Sequence, residues 1–190
     1  MNIILASKSP RRQELLRRIG IEDYTVLVPE VEESYPAGLS PEETVKYISR
    51  KKALAAKELA APEDLIITAD TMVFLDDEKL GKPRDEAHAL EMLTLLQGRR
   101  HTVCTGVTLR RGDTLRTEYQ ATDVYFRKAS REELLHYIRG GEPMDKAGAY
   151  GVQGQGALLV ERIDGDFFNV MGLPVLLLSR MLKGFGVNLL

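Results

Sequence analysis

One cysteine, three histidines and no long apolar run are found in 190 residues. The single cysteine, Cys104 in the strand-like run Thr102-Val103-Cys104-Thr105-Gly106-Val107, excludes an intramolecular disulfide framework and a cysteine-rich zinc site. It reads as a small core residue. No segment reaches the roughly 20 apolar residues that a membrane-spanning helix needs, and the run Leu173 to Leu178 is closed off by Arg180. The N-terminal apolar run is too short for a signal-peptide core and has no basic region ahead of it, which makes the cytoplasm the expected compartment. Acidic and basic residues number 28 and 26, for a net charge of -2. Neither a nucleic-acid coat nor a membrane-surface protein fits that balance, and no aromatic-interleaved basic stripe is present. Walker A, dinucleotide and Ser/His/Asp elbow patterns are all missing. His88 and His136 fall on predicted helices and His101 opens a strand, so structural roles are expected for them. Without repeats, low-complexity tracts or a Pro/Ser linker, 44% hydrophobic residues describe one domain over residues 1–190 with a sizeable core.

What is present begins at the N-terminus. Ile3-Ile4-Leu5-Ala6 reads as a buried strand, and Ser7-Lys8-Ser9-Pro10-Arg11-Arg12 as the loop and helix start that follow, with Ser9 as N-cap and Pro10 first in the helix. That helix is expected to run to Ile19 and stop at Gly20. Free N–H groups, two hydroxyls and the charges of Lys8, Arg11 and Arg12 suit a phosphate. A capped helix with a solvated basic face explains the turn equally well.

Tyr24 to Val28 reads as a second strand, followed by the acidic loop Glu30-Val31-Glu32-Glu33. Ser40-Pro41-Glu42-Glu43 is a capping box opening a helix to about Ala60. Val45, Ile48, Ala55 or Ala56 and Leu59 recur on it at helical spacing, and Lys52 falls inside this stripe. Either its stem packs while the ammonium reaches water, or the amine faces an anion in a cleft. Leu65 to Ala69 is an unbroken buried strand ending in Asp70-Thr71, and Met72 to Leu75 extends its path. Asp76 to Lys79 reads as a turn, and Gly81-Lys82-Pro83 leads to a helix from Glu86 to Leu96. His101 to Arg110 and Thr114 to Arg127 form a hairpin pattern through Arg111-Gly112-Asp113. Ser130 opens another capped helix, ended by Gly140-Gly141. Four glycines then fall between Asp145 and Gly156, a density that suits backbone approaching a ligand or another chain, or a loop. A strand from Ala157 to Ile163 and a last helix from Pro174 to Lys183 complete the chain.

Ser7 to Arg12, Glu30 to Glu33, Asp70-Thr71 and Gly81-Lys82 all place charged or flexible groups at element ends. Together with Lys52, these cations and carboxylates describe a site for a metal-bound polyphosphate, with Glu33 and Asp70 suited to Mg²⁺ and the lysines and arginines to phosphate. A carboxylate beside such a metal can take a proton from water, which points to hydrolysis.

The set Leu5-Ala6-Ser7-Lys8-Ser9-Pro10-Arg11-Arg12, Glu32-Glu33, Lys52-Ala53, Ala69-Asp70-Thr71, Gly81-Lys82-Pro83, Gln97-Gly98, His101-x-Val103-x-Thr105-Gly106, Asp145-Lys146-Ala147-Gly148-Ala149-Tyr150-Gly151 and Asn169-Val170-x-Gly172-Leu173-Pro174 resembles the Maf family over nearly the whole chain. Lys8 stands where small residues are frequent in that family. The resemblance implies an α/β (mixed α+β) fold like that of inosine triphosphatase and Ham proteins, with an elongated mixed sheet, flanking helices and two lobes around a central cleft. It implies a pyrophosphatase that splits the α–β phosphate bond of nucleoside triphosphates with a divalent cation, Mg²⁺ or Mn²⁺. The stretch from Asp145 to Gly154 is similar to the branch acting on dTTP and UTP, with CTP and modified pyrimidine nucleotides as further substrates. By that resemblance Asp70 is the proton acceptor, with Glu33, Lys52 and Lys82 beside it in catalysis, and Asp70 and Glu33 hold the metal. Ser7, Ser9, Arg11, Arg12, Thr71 and Gln153 bind substrate, with Arg12, Thr71 and Gln153 setting its choice. Gln153 can pair with the N3–H and carbonyl edge of a pyrimidine, and Gly151 and Gly154 are expected to leave space for the base. Two alternatives stay open: a Maf-type regulator of septum formation acting as a binding protein, and a pyrophosphatase preferring 7-methyl-GTP. Partners are pyrimidine nucleotides, with neither membrane nor nucleic acid expected, and the glycine-rich segment and hairpin leave surface for a homodimer.

Overall fold

Ile3-Ile4-Leu5 and Leu65 to Leu75 are the most apolar extended runs in the chain, and each becomes a strand buried in a sheet. A computed structural model describes residues 2–190. Strand β1 (Ile3–Leu5) lies between β2 (Tyr24–Val26) and β3 (Leu65–Leu75), parallel to both, with Ile3 opposite Tyr24 and Leu65. Strand β4 (Glu78–Leu80) folds back antiparallel on β3. Strands β5 (Arg100–Arg111) and β6 (Thr114–Phe126) follow, joined through Gly112-Asp113, and β7 (Val160–Asp164) pairs antiparallel with β6. The order β2-β1-β3-β5-β6-β7, with β4 beside β3, makes a seven-stranded mixed sheet. Six helices accompany it among the described residues: α1 (Pro10–Arg18), α2 (Pro41–Ala56), α3 (Glu86–Leu96), α4 (Arg131–Arg139), α5 (Phe167–Met171) and α6 (Val175–Lys183). None is long and apolar enough to cross a membrane.

The helix starts follow from their caps. Ser40 and Glu43 satisfy each other's backbone N–H groups at 3.2 and 2.8 Å, as do Ser130 and Glu133, a reciprocal arrangement that fixes where each helix begins. The Ser40 backbone N–H, with the Ser40 side chain, holds the Glu43 carboxyl below its ordinary value.

Several expected boundaries differ. Strand β2 stops at Val26, and α2 ends at Ala56, where Lys57–Leu59 tighten into a 3₁₀ turn. The expected turn from Asp76 to Lys79 is instead a two-residue hairpin, Asp76 taking φ 51°, so that Glu78–Leu80 pairs with β3. Ala157 to Leu159, expected as strand, winds in the 3₁₀ segment Gln155–Leu159, since the Ala157 N–H bonds the Gly154 carbonyl at 3.1 Å. Strand pairing starts only at Val160.

Two compact units divide the chain. The first comprises residues up to Thr71 with Thr105–Gln120 and Gly172–Leu190; the second comprises Met72–Cys104 and Ala121–Met171. In the first, α2 packs so closely on β5 that a Cβ at Gly106 would overlap the Val45 carbonyl. Ser49 on the same helix face shares a buried hydrogen bond with Thr108 at 3.0 Å, and Thr68 donates to the Ser49 carbonyl at 2.7 Å. The helix is therefore locked in register against β3 and β5 by specific bonds as well as by apolar burial.

The second unit has its own core, in which Val73, Leu93, Val124, Phe126, Ile138 and Tyr150 are buried together. His101, 2% exposed, donates to or accepts from the Tyr150 hydroxyl at 2.8 Å and stacks edge-on against Phe126 and Tyr150. Burial lowers its pKa from 6.5 to about 4, with Asp123 pulling weakly the other way. The unfolded chain gains a proton here below 6.5, whereas the folded chain does so only near 4, so stability is lost as pH falls through this window, by about 3 kcal/mol in all. His101→Gln should flatten the fall of unfolding midpoint between pH 6.5 and 4 relative to the parent protein. Equal slopes for the two proteins would contradict it.

Candidate active site

The parallel pair β1 and β3 ends on one side with Ser7 and with Asp70-Thr71, because the register matches Leu5 with Ile67 and the Ala6 N–H bonds the Ile67 carbonyl at 2.9 Å. Ligand sites in sheets of this kind gather beyond the carboxyl ends of parallel strands. Successive side chains on β3 point to opposite faces. Thr68 and Asp70 face α2, and Thr71 is directed to other partners.

On α2, Lys52 lies seven residues after Val45, two helical turns along the face that packs on β5, about 10 Å of rise. Its Nζ donates to Asp70 Oδ1 at 2.7 Å and pairs with Glu33 Oε1 at 2.6 Å. The Lys52 and Asp70 side chains are 15% and 8% exposed, whereas that of Glu33 is 57% exposed. Glu33 arrives from the irregular segment after β2, which the neighbouring Lys51 ties to α2 through the Ser34 hydroxyl and carbonyl at 3.1 and 3.3 Å. The lysine in the apolar stripe is thus explained: its ammonium faces two carboxylates of the protein itself.

A second cluster surrounds Arg12. Its Nε donates to the Gly172 carbonyl at 2.8 Å, Nη1 to the Ser7 hydroxyl at 3.2 Å and Nη2 to the Thr71 hydroxyl at 3.0 Å. Thr71 also shares a hydrogen bond with Thr105 at 2.9 Å. Ser9 caps α1 by accepting the Arg12 N–H at 3.5 Å, while its own N–H donates to Ser7 Oγ at 3.2 Å. Burial lowers the pKa of the Arg12 guanidinium, Asp70 raises it, Arg11 lowers it and Glu33 raises it again. Arg12 is thereby a desolvated cation within the field of both carboxylates, with two N–H groups beyond the three named bonds.

Ser7, Ser9, Arg11, Arg12, Glu33, Lys52, Asp70 and Thr71 all belong to the first unit; Lys82 and Gln153, both exposed, belong to the second. Thr105 and Gly172 were given no role in the sequence, although both stand in motifs that it showed. Their contribution is a hydroxyl and a carbonyl that hold Arg12 and Thr71, contacts that only the folded chain reveals.

A family model described as Maf-like protein matches residues 2–185. The chain belongs to the Maf family. A dTTP/UTP pyrophosphatase of Symbiobacterium thermophilum is 49% identical over 184 residues, 97% of this chain and 94% of its own. One of Bacillus velezensis is 47% identical over 186 residues, covering 98% and 97%, and one of Bacteroides thetaiotaomicron is 47% identical, covering 95% and 94%. The Staphylococcus aureus Ham1 protein is similar with a TM-score of 0.54 at 17% identity, over 97% of this Maf chain and 100% of its own. That likeness concerns the fold, which is Ham1-like as expected.

Gly172 holds the Maf site from behind. Its φ of +112° is one that side chains rarely adopt, and its carbonyl accepts from both Arg12 and Thr71. Gly172→Ala should cost about 1–3 kcal/mol of stability, measured by urea unfolding; an unchanged midpoint would contradict it.

Proposed function

We propose that this Maf-family chain is a nucleoside triphosphate pyrophosphatase that hydrolyses the α–β phosphate bond of dTTP and UTP. The observation that carries the chemistry is the Lys52 ammonium held between Asp70 and Glu33 beside Arg12. The relatives named dTTP/UTP pyrophosphatase, at 46–49% identity in several bacteria, support the substrate and favour it over 7-methyl-GTP.

The donor set fits Mg²⁺ or Mn²⁺. Asp70 and Glu33 are hard oxygen donors that reach one ammonium, and no group of three or more His, Cys, Asp or Glu able to hold a metal occurs among the described residues. A pair of carboxylates completed by phosphate oxygens and water is the usual way such a cation is bound with a nucleotide. Held by Asp70 and Glu33, such a cation would neutralise phosphate charge and make water more acidic.

The protein's own groups do the rest. Asp70 Oδ1 accepts from Lys52, which fixes the carboxylate and leaves Oδ2 to take the proton of an attacking water. Lys52 has three donors, two of them directed at carboxylates, and the third is available to a phosphate oxygen. Ser7, Ser9 and Arg11 at the start of α1, with the two remaining N–H groups of Arg12, bind phosphate charge. Thr71, bonded to Arg12, extends the same contact toward sugar or base. Lys82 takes up charge of the departing pyrophosphate, and Gln153 matches its amide to the pyrimidine N3–H and carbonyl edge.

Asp70→Asn should lower pyrophosphate release from dTTP and UTP by about 10²–10⁴-fold while far-UV circular dichroism stays that of the parent. A folded variant with full activity would overturn the assignment of Asp70.

A further inference from the structure

The glycine-rich segment of the second unit is crowded by a side chain that the proposed reaction does not use. Glu142, in the 3₁₀ turn Glu142–Asp145, turns its carboxylate into the backbone of residues 151–156. The Gln155 N–H donates to Oε2 at 2.8 Å, the Gly156 N–H to Oε1 at 3.1 Å and the Tyr137 hydroxyl to Oε1 at 2.9 Å. Tyr137 in turn accepts the Gly151 N–H at 3.1 Å. Lys146 secures the base of the turn by donating to the Glu142 carbonyl at 2.6 Å.

The glycines are explained by this carboxylate together with Lys146, Tyr137 and the segment's own backbone. A Cβ at Gly154 would fall on it, one at Gly151 would lie 3.0 Å from Oε1 and 2.7 Å from Lys146 Cε, and one at Gly156 would come within 2.7 Å of the Tyr137 hydroxyl. Space expected for a base beside Gly151 and Gly154 is filled by Glu142 and its partners. Outward the segment presents the exposed residues Gln153 and Gln155, and Gln153 has no hydrogen-bond partner among the described residues. Hydrogen bonds on a carboxylate are the stronger kind; two of the three end on the backbone just after Gln153, and the third is from Tyr137, which holds the Gly151 N–H just before it.

We infer that Glu142, with Tyr137, is a positioning residue for substrate choice: it clamps the 151–156 backbone so that Gln153 is presented in one orientation. The inference rests on the proposed role of Gln153 in reading the pyrimidine edge, and deepens it. Glu142 itself touches neither substrate nor reacting atoms. A side chain held in place before binding loses less freedom on binding, so the clamp is felt in affinity and selectivity.

The test compares kcat and KM for UTP and GTP, with Mg²⁺ present, in the parent, Gln153→Ala, Glu142→Ala, Glu142→Gln, Tyr137→Phe and the Gln153→Ala/Glu142→Ala double variant. Glu142→Ala should raise KM for UTP by about tenfold or more, with a smaller change in kcat, and reduce the UTP preference toward that of Gln153→Ala. The double variant should be no less selective than Gln153→Ala alone, since both changes remove one function. Glu142→Gln should fall between, because its amide keeps one acceptor but sets N–H against the Gln155 N–H. Unchanged KM and UTP preference in the Glu142 variants, beside lost preference in Gln153→Ala, overturns the clamp and leaves the base contact standing. Retained UTP preference in Gln153→Ala overturns the base contact and the clamp with it. Should Glu142→Ala fail to fold, Glu142→Gln and Tyr137→Phe, which keep the side-chain volume, decide between the same outcomes.

Discussion

The two carboxylates of the first unit's site depend on one ammonium that they share. Lys52 is desolvated by the face of α2 that packs on the sheet, and a cation in that position is tolerable only with opposite charge in contact. Asp70 in the middle of β3, just past its pairing with β1, and Glu33 from the irregular segment supply it. The pairing fixes a buried carboxylate on β3 just past its parallel pairing with β1, and it draws an irregular acidic segment to the same place. Removing Lys52 would leave two carboxylates facing each other without a countercharge, whereas removing Asp70 or Glu33 leaves the other carboxylate on the ammonium.

The placement of that ammonium is a packing result. The absence of a side chain at Gly106 lets α2 approach β5 until Val45 touches it, and the Ser49, Thr68 and Thr108 bonds set the helix's rotation. Two turns further on, the same face delivers Lys52. Stability and site geometry are therefore the same contacts read at two points along one helix. Arg12 follows a similar logic, since the carbonyl of Gly172 and the hydroxyls of Ser7 and Thr71 fix a guanidinium whose remaining donors point elsewhere.

Much of this was legible in the sequence. The buried strand that carries Asp70, the capped start of α2 and the Ser7 to Arg12 turn were all readable from local pattern, because each depends on neighbours within a few residues, although the strand runs on through Asp70 to Leu75. Lys52 in an apolar stripe was visible as an anomaly, but its partners lie 18 and 19 residues away and only folding chooses between water and a carboxylate. Short elements escaped: β4 has three residues and α5 five, less than either periodicity needs to show itself. Ala157-Leu158-Leu159 was apolar enough for a strand, yet its hydrogen bonds go to the preceding turn. The glycines from Gly151 to Gly156 announced a close approach without saying of what, and the answer, Glu142, comes from an earlier turn.

The proposed reaction cuts UTP between the α- and β-phosphates. Product stoichiometry tests it most directly: UTP consumed by the purified protein with Mg²⁺, followed by ³¹P NMR or anion-exchange chromatography at early times. UMP and pyrophosphate are expected in equal amounts from the first turnover. UDP and orthophosphate as the initial products would contradict it.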